Sequence, residues 1–597
     1  MNQQPTTDNR QPPRHGALLR EDGVQFRVWA PHAENVTLLL EDAGETRSMS
    51  KDAEGYFEHV EPDLAAGARY RYRQAGGELL PDPASRFQPE GVHGPSQVVD
   101  PGAYDWRDDD WTGVAQKDLA FYELHVGAFT PEGTFRAAAE RMEHLRELGV
   151  TAVEIMPVAD FPGRWNWGYD QGALFAPSRA YGTPRDLRAL IDCAHQLGLA
   201  VFLDVIYNHL GPDGAYVAAF APMFTDRHET PWGQAINLDD VRSEGVRRFF
   251  VDNALHWLRE YHADGLRLDA THALIDDSDT HFLTELAEAV SAIESGPPRR
   301  LIAEDERNER RLLLPRADGG HGLDGVWVDD FHHQLRHITA GDAEGYFADF
   351  AGATAQDVAA TLRQGWFFTG QRSSFLNAPR GTDPTGVRPA QCVYCIQNHD
   401  QVGNRPMGTR LSDDASPAAY RAATALLLFA EQLPLLFMGQ EWAASTPFQF
   451  FTDHDDELGR QVSEGRREEF EDFAGFGGEV PDPQDEATFR RSTLNWPERE
   501  EGRHARTLAL YRDLLSLRKR LEGEQAVEAH GDYGLTLRRG DRALLVVLKG
   551  AQVVPSPSGD VLLHTEQSEY VVEGQLPRLS GEEAYFERPG ALVVSVY

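Results

Sequence analysis

The sequence predicts an α/β protein: a (β/α)8 TIM barrel with an N-terminal β-sandwich domain and a small C-terminal β-sandwich domain. Three observations predict it. Eight apolar, strand-like runs follow one another between Leu119 and Trp442. Amphipathic, helix-like runs lie between them, and eight βα units of this kind close into a parallel barrel. Before and after this stretch the pattern changes to period-two alternation, which marks half-buried strands.

The elements follow in order. Residues 1–15, MNQQPTTDNRQPPRH, are polar and rich in Pro and Gln, and read as a disordered tail with no signal peptide. Residues 16–110 alternate: Phe26, Val28 and Ala30 share one face, Val36, Leu38 and Leu40 another, and Tyr70 and Tyr72 follow. Turn residues between these runs predict a small β-sandwich. Residues 111–522 hold the barrel, with strands expected at Leu119–Phe129, Ala152–Val158, Ala200–His209, Gly265–Ala270, Arg300–Asp305, Gly325–Phe331, Cys392–Asp400 and Leu435–Trp442. Helices are expected in TFRAAAERMEHLRELG, TPRDLRALIDCAHQLG, SEGVRRFFVDNALHWLREYH, SPAAYRAATALLLFAEQ and HARTLALYRDLLSLRKRL, several closed by Gly, as at Gly149 and Gly198. The acidic stretch from Asp453 to Glu501 reads as a long loop, and its Asp453, Asp455, Asp456 and Glu457 as a solvated turn without calcium-loop spacing. Residues 523–597 alternate again in LTLRRG, RALLVVLKG, EYVVEG and ALVVSVY.

The chain of 597 residues carries 57 Lys+Arg against 95 Asp+Glu, a formal charge of −38. A nucleic-acid backbone or an anionic lipid surface needs a basic face, so neither is an expected partner. No apolar run reaches the ~18 residues of a membrane span. The three cysteines, Cys193, Cys392 and Cys395, cannot build a disulfide framework. Cys392 and Cys395 have CxxC spacing, but no second pair exists and they sit in an apolar strand, so they read as buried thiols. The expected location is the cytoplasm.

Barrel enzymes work at the C-terminal ends of their strands. Here those ends read Asp204-Val-Ile-Tyr-Asn208-His209, Arg267-Leu-Asp269-Ala-Thr-His272, Ala-Glu304-Asp305, Asp329-Asp330-Phe-His332-His333 and Gln397-Asn398-His399-Asp400. Exposed strand ends are often polar, which explains one or two of these. It does not explain five ends that each carry a carboxylate beside cores of Val, Leu and Ile. No Ser or Cys nucleophile motif, no phosphate loop and no HExxH is present; the His and Asp residues could ligate a metal as in barrel hydrolases, but acid/base work with paired carboxylates fits better, so no metal or cofactor is expected. Paired carboxyls fit glycoside hydrolysis, which needs one ionised carboxylate and one protonated carboxyl. Arg267 and Asp269 are two residues apart on one strand face, so the guanidinium favours the ionised carboxylate a nucleophile needs. Glu304 follows the apolar Leu301-Ile302-Ala303, which favours a protonated acid. Asp305 and Glu306 are its rivals.

At these residues the chain resembles a known family. DVIYNH, GLRLDATH, the Glu of LIAED, and QNHD are similar to the four signature regions of the α-amylase superfamily, glycoside hydrolase family 13, in order and spacing. The resemblance implies Asp269 as nucleophile, Glu304 as general acid/base and Asp400 as a third carboxylate stabilising the transition state. It implies that Tyr169, His209, Arg267 and His399 line the subsite on the non-reducing side of the cut. Within the superfamily, VADFPGRWNWGYD, TDRHETPWGQAIN, IAEDERNE, DDFHHQL and QNHDQVGNR resemble the maltooligosyltrehalose trehalohydrolases. That implies a maltooligosyltrehalose substrate, trehalose as product and a functional pairing with a maltooligosyltrehalose synthase. A branching or debranching enzyme of the same superfamily is the alternative. For the reducing-side pocket the candidates are Trp165, Trp167, Trp232, His332 and His333. Asp204, Asn208, His272, Asp330, Gln401 and Asn404 complete the expected binding set.

Overall fold

The computed structural model describes residues 15–471 and 480–596. Eight strands form a closed parallel barrel in chain order: β1 (Phe121–Leu124), β2 (Ala152–Ile155), β3 (Ala200–Val205), β4 (Gly265–Leu268), β5 (Arg300–Glu304), β6 (Gly325–Trp327), β7 (Cys392–Cys395) and β8 (Leu433–Phe437). β8 closes on β1, with Phe121 opposite Leu435.

Alternation along these strands sorts the interior into layers. Phe121, Ala152, Phe202, Ile302, Val393 and Leu433 pack as one apolar layer. Two residues on, the same strand faces carry Glu123, Glu154, Asp204 and Arg267, all buried. The polar floor of the site therefore rests on an apolar plug inside the barrel.

The strands end earlier than the sequence suggests, in three cases because the chain turns directly into a helix. β1 stops at Leu124, where His125 caps a helical turn at Val126–Phe129. β6 stops at Trp327, and a helix covers Asp329–Ala340. β7 stops at Cys395, and Asn398 caps the short helix His399–Gly403 by accepting from the Gln401 N–H at 2.8 Å. The expected helices form at Phe135–Ala139, Met142–Leu148, Pro184–Gln196, Ser243–Glu260, Pro417–Phe429 and Gly502–Arg518. Thr183 and Asp186 form a capping box at the start of the Pro184–Gln196 helix.

The Asp453–Glu501 stretch is not only loop. Helices span Asp456–Glu471 and Glu486–Ser492. The first starts where Asp455 accepts the Leu458 N–H at 3.0 Å, and Arg460 pairs with Glu464 one turn on. Its polar composition hid the periodicity. Asp453 holds Arg164 by its backbone N–H and Nε, both at 2.8 Å.

Before the barrel, a four-stranded and a five-stranded antiparallel sheet enclose a core that includes Val24, Phe26, Val28, Leu38, Tyr70 and Tyr72. After it, a five-stranded and a three-stranded sheet enclose Ala543, Leu545, Val547, Leu592 and Val594. His15, assigned to the tail by its sequence, is instead buried, and its Nδ1 lies 2.9 Å from Asp252 Oδ2 on the Ser243–Glu260 helix. The rest of the expected tail, residues 1–14, falls outside the described residues. Cys392 and Cys395 are buried and free. No helix among the described residues is long and apolar enough to cross a membrane.

Candidate active site

Arg267 is the centre of the site. It is fully buried, and burial alone would disfavour its charge, but the surrounding acids hold it protonated. Nη1 donates to Asp204 Oδ1 and Oδ2 at 2.9 and 2.7 Å and to Asp269 Oδ1 at 2.7 Å. Nη2 lies 3.0 Å from Glu304 Oε2. One guanidinium thus positions three acids drawn from β3, β5 and the end of β4. Its planar fork suits that task, where a lysine offers a single point charge.

Asp269 is fixed from a second side. Asn208 Nδ2 donates to Asp269 Oδ2 at 2.7 Å and to its carbonyl at 2.9 Å. The chain then turns sharply: Ala270 takes a left-handed φ of 41°. That turn aims the Ala270 N–H at Glu304 Oε2, 2.7 Å away. A non-glycine residue held there costs of order 1–3 kcal/mol, and such strain clusters at working sites.

Glu304 keeps 25% of its side chain open to the cleft. Desolvation, then the charges of Asp269 and Asp400, push its carboxyl well above the usual range, against the pull of Arg267. Its sequence rivals are engaged elsewhere. Asp305 is buried and binds Arg307 Nη2 at 2.7 Å and Thr271 Oγ1 at 2.8 Å, while Glu306 is exposed. The protonated state therefore comes from burial beside other carboxylates, more than from the apolar strand before it.

Asp400 sits on the short helix after β7, and its Oδ2 is 3.3 Å from His399 Nε2. Tyr169 donates to Asp204 Oδ2 at 2.7 Å, and its hydroxyl lies 2.8 Å from His399 Nε2, with the two rings stacked. Gly168 before it has a φ of 107°, and a Cβ there would meet the Pro157 carbonyl oxygen at 2.6 Å, so the turn presenting Tyr169 requires glycine. His209 Nε2 lies 3.0 Å from the Tyr169 carbonyl oxygen. Asn404 Nδ2 reaches Asp400 Oδ1 at 3.2 Å, one helical turn on.

The structure separates the remaining candidates. Trp232 is 49% exposed and stacks on His209 at 5.2 Å, with His272 6.4 Å away. Trp165 and Trp167 are instead buried: Trp165 stacks on Phe489 and donates to the Thr452 carbonyl, and Trp167 stacks on Phe448 and donates to the Gln449 carbonyl. Asp204 and Asn208 are buried with their polar atoms turned to Arg267 and Asp269, beneath the cleft instead of lining it.

Asp330 belongs elsewhere altogether. It is fully buried and binds Asn308 Nδ2, the Phe367 and Phe368 N–H groups and Arg380. His332 and His333 are buried too, in an aromatic cluster with Tyr346, Phe347 and Phe350. Burial lowers His333 to about 3, so the ring is neutral. The reason is a change of period: Asp329 begins a helix, so residues expected on alternating strand faces follow a 100° helical step instead.

Sequence reasoning missed four groups. Glu123 and Glu154 are lone acids inside the apolar runs FYEL and AVEI, a signal that was present. Trp327 lies under Arg267, with the guanidinium carbon 4.6 Å from its ring centre. Tyr346, 38% exposed, brings its hydroxyl within 3.4 Å of Gln401 Oε1, and no local pattern announces it. Among the described residues, His228, Asp239 and Asp277 have metal-ligating proximity, but Asp239 is already paired with His228 at 2.8 Å and Arg227 at 3.3 Å.

Two carboxyls, Asp269 and a Glu304 that burial keeps protonated, held on one fixed guanidinium at the mouth of a (β/α)8 barrel define a glycoside hydrolase of the α-amylase type. Comparison with known proteins agrees. The α-amylase catalytic-domain model matches residues 100–227, and the carbohydrate-binding module 48 (isoamylase N-terminal domain) model matches residues 14–87. A protein of Deinococcus radiodurans named malto-oligosyltrehalose trehalohydrolase is 51% identical over 503 residues, 83% of this chain and 81% of that one. A crystal structure of a putative α-amylase from Salmonella typhimurium superposes with a TM-score of 0.89 at 39% identity, covering 98% of this chain and 99% of that one. A 1,4-alpha-glucan branching enzyme of Corynebacterium jeikeium is 31% identical, but over only 54% of this chain and 50% of its own. The chain belongs to the malto-oligosyltrehalose trehalohydrolase family.

Proposed function

We propose that this enzyme hydrolyses the α-1,4-glucosidic bond next to the terminal trehalose unit of maltooligosyltrehalose, releasing trehalose and a maltooligosaccharide. The observation that carries this reading is the Arg267-centred array of Asp269 and Glu304, in a chain half identical to a relative bearing that name.

In the first step Asp269 attacks the anomeric carbon. The bond to the trehalose oxygen breaks, and Glu304 gives that oxygen its proton. A β-glucosyl–Asp269 ester results. Glu304, now ionised, takes a proton from water, whose oxygen displaces Asp269 and restores the α configuration. Two carboxyls and water suffice, with no cofactor. Asp400 offers its carboxylate to the sugar hydroxyls, and Tyr169, His209 and His399 enclose the non-reducing side. Trp232 is the one exposed ring of the three tryptophan candidates, and it offers a sugar-stacking face. Tyr346 and Gln401 form a wall on the reducing side.

The domain limits at residues 110 and 522, a glycan-binding role for the N-terminal module, a cytoplasmic location and a partnership with the synthase that makes the substrate belong to the same reading. The test is parallel incubation with maltotriosyltrehalose and maltopentaose. Fast trehalose release from the first and slow cleavage of the second support it. New α-1,6 branches on amylose would favour the branching alternative.

A further inference from the structure

Beneath the site, β1 supplies a carboxylate with no part in the chemistry above. Glu123 is 1% exposed. Its Oε1 lies 2.5 Å from His399 Nδ1, and its Oε2 accepts the His399 backbone N–H at 2.9 Å. His399 is equally buried, walled by the rings of Trp167 and Trp327 at 5.5 and 6.2 Å.

We propose that Glu123 is a positioning residue for the hydrolysis: its carboxylate holds the His399 ring fixed and doubly protonated, so that a cation faces Asp400. This rests on the reading that Asp269, Glu304 and Asp400 act on the sugar. The hydrogen-bond directions carry the argument. The Tyr169 hydroxyl has one proton, and it goes to Asp204, whose two oxygens also accept from Arg267. Tyr169 therefore accepts from His399, and Nε2 must carry a proton. Nδ1 faces a carboxylate, which accepts, so it carries one as well.

The location of the negative charge follows from the neighbouring strand. Glu154 on β2 stands directly beside Glu123 in register. Two adjacent buried carboxyls cannot both ionise cheaply. Glu123 has two donors from His399, whereas Glu154 Oε2 has no partner. Burial, then the charge of Glu123, pushes Glu154 well above the usual range, so Glu154 holds the proton and Glu123 the charge. The other ionisable groups around His399 are Asp400 on its own helix, Arg267 from β4, Tyr169 from the loop after β2, Asp204 behind Tyr169, which burial pushes up to about 7 against the pull of Arg267, and His125 after β1, which burial lowers to about 4 and so keeps neutral. Burial and Arg267 oppose protonation of His399, but Asp400 and Glu123 outweigh them and raise the ring to about 9. The cation then sits 3.3 Å from Asp400 Oδ2 and fixes that carboxylate at the rim of the cleft.

The first test uses the unaltered enzyme labelled with ¹⁵N-histidine, with the His399 signals identified by their loss in His399→Gln. Both ring nitrogens protonated at pH 7.5 is the expected result, and a neutral ring overturns the proposal. No substrate is involved, so this outcome stands or falls apart from the functional reading, which fails separately if the wild type releases no trehalose from maltotriosyltrehalose. The second test is Glu123→Gln, which keeps the volume and removes the charge. The alkaline limb of kcat/KM should move down by about two pH units, toward the ordinary histidine value. A uniform loss at every pH, as from a damaged fold, overturns the proposal. In a His399→Gln background, Glu123→Gln should change kcat/KM by less than about twofold, because the two act as one unit. A full additive loss there also overturns it.

Discussion

Arg267 Nη1 stands 2.7 Å from Asp269 Oδ1, with the guanidinium fully shielded from solvent. The same group touches Asp204 and Glu304, so it fixes all three acids together. A lysine at this position cannot make that fork. Arg267→Lys should therefore lower kcat by about 10²–10³-fold, as the loss of a preorganised electrostatic donor does, with a smaller effect on KM. Steady-state kinetics on maltotriosyltrehalose checks this.

As the proposed general acid, Glu304 must hold a proton to release the leaving oxygen. Its carboxyl lies well above the usual range, from burial and the nearby Asp269 and Asp400. The acid form therefore persists past the pH where an ordinary glutamate ionises, so the general acid stays competent beyond that pH. Glu304→Gln should lose about 10²–10⁴-fold on the natural substrate, the usual contribution of a general acid. A maltosyl fluoride, whose leaving group needs no proton, should show a far smaller loss in the first step. Comparing the two substrates checks the assignment.

His333 tests whether the helix after β6 packs or binds. Its ring is lowered to about 3 by burial, then by Arg380, below the ~6.5 of an unfolded histidine. Burial of the neutral ring thus contributes stability that is complete above pH 6.5 and is lost as pH falls toward 3. Between pH 8 and pH 5 this one group accounts for about 2 kcal/mol. His333→Phe, beside Phe347 and Phe350, should lose less stability than the wild type over that range, with kcat/KM near pH 7 unchanged within about twofold. Denaturant unfolding at the two pH values checks it.

The tryptophans separate into two kinds. Trp232→Ala removes an exposed ring stacked on His209, so KM should rise roughly tenfold with little change in Tm. Trp165→Ala empties a buried site against Phe489 and should cost about 3–5 kcal/mol in stability. Kinetics and thermal unfolding on both variants distinguish the roles.

The barrel was legible because eight apolar runs alternate with amphipathic ones, and the acids that meet at Arg267 because they interrupt apolar strands where those strands end. Asp204 after Val-Phe-Leu and Asp269 after Leu-Arg-Leu are such points. The errors fall where the period changes. Val328 leads from strand into helix, so Asp330 and the two histidines after it follow a helical step and end up buried. Trp165 and Trp167 carry the right chemistry for sugar, but loop packing buries them, and loop packing has no local period. Tyr346 reaches Gln401 from a helical turn remote from any strand end. Glu123 and Glu154 were visible as acids in apolar strands. What they do depends on neighbours across the barrel, which only closure brings together.

The account turns on a retaining cut at one bond. Proton NMR of maltotriosyltrehalose during the first minutes of reaction reads both features at once. The account predicts trehalose together with maltotriose whose new reducing end is the α-anomer, before mutarotation. Maltotriose released as the β-anomer, or glucose and maltose released while trehalose stays attached to a longer chain, would contradict it.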